Sequence, residues 1–354
     1  MQGPRGFVIR ILDYIVRLGL LLLVCGCAAA PVAEGTPVPQ PAVAIAPEVA
    51  AQLRELARCS TGSVYAMAYS PDGRLLAIVT AKGVHLRDAA TLAPLRTIET
   101  SRAFGMAFSP DGTLLAAGAG EAVRLWRVPD GELVRTIEVA PGSASVAFSP
   151  DGTLLTTGSG DGTVQLWRIS DGHSLQTLRA PEPEGLLGSV GTVAFSPDGT
   201  LLAAADSGAW DSAVRLWRVS DGALLLTAAD RRKLLSVALS PDGTLLATGT
   251  STGRMHNLEL DSAALLRRVS DGTLLHALFH GQSSVSSVTF SPSSALLATA
   301  SSRVVHLWRV SDGTLLRTLK GHTNDVTTTA FSPDGRLLAS GSSDGTVRLW
   351  GVSP

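Results

Sequence analysis

The tetrapeptide Ser-Pro-Asp-Gly begins at Ser70, Ser109, Ser149, Ser196, Ser240 and Ser332, and a degenerate Ser-Pro-Ser-Ser begins at Ser291. These are turn residues for separate reasons: Pro presets φ, Asp bonds its own backbone, and Gly tolerates positive φ. Short alternating apolar runs flank each phrase, for example residues 145–148 and 153–157 around the third. Each phrase therefore reads as strand, tight turn, strand.

A further strand-like run ending in Leu-Trp follows, as at residues 123–126, and then a second turn with Asp-Gly at 130, 171, 221, 271 and 312. A fourth run, such as residues 314–319, completes a unit of about 40 residues. Four short strands cannot bury both their faces alone, so seven such units must stack, and radial stacking does this while leaving few exposed edges. The expected fold is all-β: a seven-bladed β-propeller of four-stranded antiparallel blades.

The stretches like FSPDGTLLATGS, the DGTVRLW at 344–350 and the Gly321-His322 pair resemble the WD-repeat β-propeller family over residues 52–354. That resemblance implies a buried hydrogen-bonded set in each blade: a His from the entering loop, a Ser or Thr, an Asp and the Trp. The seventh unit carries all four as His322, Ser340 (or Ser342), Asp344 and Trp350; the third and fourth keep Asp161 with Trp167 and Asp211 with Trp217 but lack the His. The family's Trp-Asp pair departs to Trp-Arg at Trp126, Trp167, Trp217 and Trp308 and to Trp-Gly at Trp350, while Arg87 and Arg267 occupy the Trp position of units one and five. Losing an aromatic that buries about 150–250 Å² should leave those two blades the softest.

The seventh unit ends at residue 354 with three strands. An open ring would expose a strand edge, and residues 53–56 precede Ser70 by the spacing that separates an outer strand from the next phrase. Residues 48–58 have local helical composition, yet closure predicts a strand there, pairing the N-terminal segment with the C-terminal blade.

Arg5, Arg10 and Arg17 precede an apolar run at 18–24 and then small residues, the order of a secretory signal. Val24-Cys25-Gly26-Cys27 resembles the lipobox of bacterial lipoproteins, which implies that Cys27 becomes the lipidated first residue; cleavage among residues 28–30, or an uncleaved N-terminal anchor, is the plainer alternative. Residues 28–47 are rich in Ala and Pro, the composition of an extended spacer with little to pack. The expected organisation is a signal over 1–26, a tether over 27–50 and the propeller over 51–354, in an exported, membrane-held protein. With Cys27 lipidated only Cys59 stays free, which leaves no disulfide framework.

Spacing from the Ser-Pro phrase to the next Asp-Gly is 21, 22, 25, 31 and 21 residues in units two to six, and from Asp-Gly to the next phrase 19, 25, 19, 20 and 20. The excess falls in loops that emerge on one face of an up-and-down blade, whereas the short turns occupy the other. Variable loops on one face mark a binding face. Trp210, the cluster Arg231, Arg232 and Lys233, and Met255 and His256 in the longest insertion are the candidate partner-binding residues there.

Enzymatic chemistry is thinly represented. Two G-x-S-x-G matches, at 249–253 and 341–345, lie in strand-to-strand turns, where a nucleophile elbow requires a strand and then a helix. The seven histidines include no zinc-ligand spacing, so no metal or other cofactor is expected. With 29 basic and 30 acidic residues the chain lacks the field that draws in nucleic acid. The expected function is a non-enzymatic scaffold for a protein or peptide. An envelope enzyme or ligand binder using the central channel, and a cytoplasmic scaffold, stay open as alternatives.

Overall fold

A computed structural model describes residues 33–100, 103–143, 145–180, 188–207, 212–255 and 258–353. Among these, seven antiparallel blade sheets are arranged round the ring and a separate two-stranded sheet accompanies the fifth. Blade 1 comprises Val64–Tyr69, Leu75–Thr80, Gly83–Asp88 and Pro94–Ile98, paired in that order from inner to outer strand. In blade 2 the second and third strands run together as Leu114–Arg127 through a turn at Gly120, so this sheet has three segments. The long insertion of blade 5 forms its own hairpin, Gly253–Met255 with Leu258–Leu260, between Leu245–Thr250 and Ala263–Arg268.

The core lies between blades rather than within them. Leu86, Val84 and Ile98 of blade 1, for example, pack with Leu115, Ala117 and Trp126 of blade 2 in one buried cluster, and equivalent clusters recur round the ring. Each sheet is apolar on both faces because each is sandwiched between neighbours.

The Ser-Pro-Asp-Gly turns are cross-braced. In the third, Ser149 Oγ donates to Asp151 Oδ1 at 2.5 Å and accepts the Leu154 N–H at 2.9 Å, while Asp151 Oδ1 accepts the Thr153 N–H at 3.0 Å. The degenerate turn keeps this shape: Ser294 takes the glycine's place at φ 59, and Ser291 Oγ still accepts the Leu296 N–H. A non-glycine residue there carries a steric cost that the surrounding pairing holds in place.

The Trp-Arg departures acquire a role in the second turn. Arg127, Arg168, Arg218 and Arg309, and Arg268 after Arg267 in blade 5, each donate from Nη1 to the Asp three residues on, at 2.7–3.0 Å. The other oxygen of that Asp accepts the N–H two residues further, as with Asp312 and Thr314 at 3.0 Å. These pairs are about half exposed, so solvent screens them and they order the turn more than they stabilise the fold.

The ring closes through the N-terminal segment. After a single 3-10 turn at Ala50–Gln52, the strand Leu53–Ser60 pairs antiparallel with Thr346–Val352 and supplies the outer strand of blade 7. Leu53, Leu56 and Cys59 are buried, and Glu55 forms an ion pair with Arg348. Local helical preference loses to an eight-residue ladder and a buried seam, which is tertiary override of a weak propensity.

The Ala/Pro-rich stretch is seated on the ring from residue 34 onward, where composition alone implied little packing. Gly35 and Val38 donate backbone hydrogen bonds to Thr91 and Ala90 of blade 1, and Ile45 donates to Gly335 of blade 7. Val38, Pro41 and Ile45 are buried. This strap crosses the closure seam, and its few large apolar side chains find prepared places there, a matter of position that composition does not register.

Candidate functional site

Two kinds of arrangement decide what this ring can do: buried polar sets that hold blades together, and the loop-rich face that meets solvent.

In blade 7, His322 Nε2 lies 2.8 Å from Ser340 Oγ, and His322 Nδ1 lies 3.0 Å from Asp344 Oδ2. Trp350 Nε1 donates to Ser340 Oγ at 2.8 Å. Asp344 also accepts the Thr323 and Thr346 N–H groups and the Thr346 hydroxyl. Burial alone would raise its pKa, but these hydrogen bonds together hold the carboxyl well below the usual range. His322 is pushed down by burial, with Asp344 opposing. Ser342 instead donates to the Asn324 carbonyl at 3.0 Å.

Blade 6 holds a related set that sequence reasoning missed. Trp308 Nε1 donates to Thr299 Oγ1 at 2.9 Å, and His280 Nε2 lies 3.2 Å from the same hydroxyl. Where blade 7 has an Asp, blade 6 has a second imidazole: His306 meets His280 edge-on at 4.8 Å between ring centroids. The buried Nδ1 atoms of both rings have no hydrogen-bond partner. Burial, and then His306, push His280 down to about 3; burial pushes His306 down as well. The missed signal was positional, since His280 directly follows the outer strand Leu274–Phe279 much as the Gly321-His322 pair follows Leu315–Lys320.

In blade 3, Trp167 Nε1 donates to Thr157 Oγ1 at 3.1 Å, whereas Asp161 bonds Ser159 and Thr163 and does not reach the Trp. Asp211 lies outside the described residues. Register places Arg87 opposite Leu76 and Arg267 opposite Leu246, where Trp167 faces Leu155. Arg87 is 7 % exposed and engaged by Glu34 at 2.5 Å, by the Leu92 carbonyl at 2.7 Å and by the Ser60 carbonyl at 3.2 Å. Arg267 donates from Nη1 to the Gly272 carbonyl at a long 3.3 Å, and burial lowers its pKa. Thr248, the counterpart of Thr157, is buried with its hydroxyl unpartnered.

These sets are braces. The candidate contacts read from the sequence belong to the loop-rich face. Trp210 and His256 lie outside the described residues, as does Cys27, and of Met255 only its place at the end of the short strand Gly253–Met255 is defined. Arg232 is held by Asp230 through two side-chain bonds, Nε–Oδ1 at 2.8 Å and Nη2–Oδ2 at 2.9 Å. Arg231 and Lys233 are exposed beside it. No helix among the described residues is long and apolar enough to cross a membrane.

On the constant-turn face the channel mouth is a cavity of about 510 Å³ lined by Met67, Tyr69, Phe290, Phe331, Thr289 and Thr329 among others, with no carboxylate or imidazole in its lining. Channel hydroxyls bond across blades, as Thr289 Oγ1 does to the Thr329 carbonyl at 2.9 Å. Among the described residues no three His, Cys, Asp or Glu side chains converge as a metal site requires.

Repeated four-stranded blades, Trp-anchored third strands and a His-Ser-Asp-Trp brace define a repeat-built propeller. Five stretches match the family model described as WD domain, G-beta repeat: residues 93–127, 131–168, 172–218, 272–309 and 313–351, more than half of the chain. The chain belongs to the WD40-repeat family. Each match starts near an outer strand and ends at the next blade's third strand, and the unmatched units are the two with Arg in place of Trp. Comparison with curated proteins finds no match. WD40 propellers commonly mediate protein–protein interaction and are typically non-enzymatic.

Proposed function

We propose that this chain is a non-enzymatic, exported scaffold, lipid-anchored through Cys27, that holds a protein or peptide on its loop-rich face. Its mature form begins after residue 26, and the ring from residue 51 is the binding module. The observation that carries the reading is the asymmetry of the two faces. One is locked by six braced Ser-Pro-Asp-Gly turns and the Ser-Pro-Ser-Ser turn at 291, and the other collects the insertions, including the blade 5 hairpin. Export rests on the order of basic, apolar and small residues in the first 30 positions.

Photo-cross-linking tests the binding face in cells. A cross-linker at Lys233 or Lys82, on the loop-rich face, should capture a discrete protein adduct; one at Asp151 or Asp198, on the constant-turn face, should not. Adducts from the constant-turn positions alone would reverse the assignment. Mass spectrometry of the mature N-terminus tests the anchor: a diacylglyceryl-modified Cys27 is expected, and an unmodified Ala or Pro terminus contradicts it.

A further inference from the structure

On the loop-rich face, the junction of blades 7, 1 and 2 combines two features. The first is an aromatic pair. Tyr65 and Phe104 are bulged out at the start of the inner strands of blades 1 and 2, as register shifts at Val64/Ala66 and Ala103/Gly105 show. Their rings stand 5.7 Å apart, and they are 39 % and 52 % exposed. The corresponding bulge residues elsewhere are Gly191, Leu235, Ser286 and Thr327, so the aromatic platform belongs to this side of the mouth.

The second is an open cleft of about 390 Å³ that starts two residues from Tyr65. It is lined by Ser60, Thr61, Gly62 and Ser63 on the blade 7 side and by Thr80, Ala81, Lys82, His85 and Arg87 on blade 1. The lining holds two permanent cations, an imidazole and four hydroxyl side chains, and no carboxylate. Arg87 is paired with Glu34. Lys82 is exposed, and among the described residues no ion pair includes it. Glu34 is the acid that meets the cleft, through Arg87, and the backbone of Glu99 packs on Gly83 nearby.

The cleft is preformed. Thr61 N–H donates to the Gly345 carbonyl at 2.8 Å, Arg87 Nη2 donates to the Ser60 carbonyl at 3.2 Å, and His85 bridges Thr80 and Thr97 at 2.9 and 3.0 Å. Burial, and then the Arg87 and Lys82 charges, lower the His85 pKa; Arg87 is offset by Glu34, which leaves Lys82 as the cation open to a partner.

We infer that this junction binds a peptide segment that sets an apolar side chain on the Tyr65–Phe104 platform and a neighbouring Asp or Glu carboxylate in the Lys82 cleft. The inference deepens the loop-face reading and rests on it. An exposed aromatic pair supplies rigid contact area at small entropic cost. A cation in a carboxylate-free cleft favours an anionic partner and disfavours a cationic one. Hydroxyls and exposed loop amides supply the remaining donors.

The test uses the whole chain and a fluorescein-labelled, N-acetylated, C-amidated peptide of sequence Ser-Glu-Glu-Leu-Phe-Glu-Ser, read by fluorescence anisotropy. Saturable binding is expected, weakening with added salt. Replacing its three Glu by Lys, or its Leu-Phe by Ala-Ala, should each weaken binding at least about tenfold. Lys82→Glu, and Tyr65→Ser with Phe104→Ser, should each do the same at unchanged melting temperature, and Glu99→Gln should strengthen it. No saturable binding to the unaltered protein, equal binding of the Lys peptide, or full affinity in Lys82→Glu would overturn the inference. Those failures with loop-face cross-links intact would remove this site alone; cross-links confined to the constant-turn face would remove the wider reading.

Discussion

Trp350 and its partners show why identity at one position controls a blade. The Trp donates to Ser340, Ser340 meets His322, and His322 meets Asp344; the first three are buried and Asp344 is half-buried. Asp344→Ala leaves His322 and two backbone N–H groups short of an acceptor. It should cost about 1–3 kcal/mol, read as a lowered Tm; an unchanged Tm contradicts a bracing role. Blade 6 responds to acid differently because its second partner is an imidazole. His280 and His306 have folded pKa values below the ordinary 6.5, so the unfolded chain takes up protons first. Their contribution is intact above about pH 7 and declines as pH falls from there, before most carboxylates titrate. His322 acts in the same direction, with Asp344 as its counterweight. Tm should therefore drop between pH 7 and 5, and His306→Leu should flatten that drop; an unaltered slope in the variant would contradict the assignment.

At the scale of the blade, two substitutions that look alike in sequence differ in the structure. Both Arg87 and Arg267 replace Trp, which led to the expectation that blades one and five are the softest. Blade 1 has adjusted: the residue that would accept from a Trp is Ile78, fully buried, and Arg87 is instead tied to the strap through Glu34. Blade 5 has not: Thr248 keeps its hydroxyl with no donor. Of the two, blade 5 is therefore expected to be the softer. Arg267→Trp should restore the bond seen at Thr157, Thr299 and Ser340 and stabilise the chain by about 1–2 kcal/mol; a lower Tm would show that the pocket no longer accepts an indole. The strands and turns of every blade were readable from Ser-Pro-Asp-Gly and Leu-Trp because those patterns are local. The Arg87–Glu34 pair was not, since its partners are 53 residues apart and joined only when the ring closes. The His280–His306 pair was equally hidden, for it spans two strands. Trp210 and His256 stand out in the sequence by their chemistry in long loops, whereas Tyr65 and Phe104 do not, because a bulge that turns a strand residue outward leaves no mark in an alternating pattern.

For the molecule as a whole, closure joins the N-terminal strap, the outer strand Leu53–Ser60 and the last blade into one seam. The ring is what holds the loop-rich face rigid, and with it the Tyr65–Lys82 junction, which lies beside that seam. Hydrogen exchange tests this most directly. In the full chain, the amides of Leu53–Ser60 and Thr346–Val352 should exchange as slowly as the core strands of blades 3 and 4. In a chain lacking residues 33–60, protection should fall across blades 7 and 1 and fall less in blades 3 and 4. Fast exchange at 53–60 in the full chain, or unchanged protection of blade 7 after the deletion, would contradict a ring closed by its N-terminal strand.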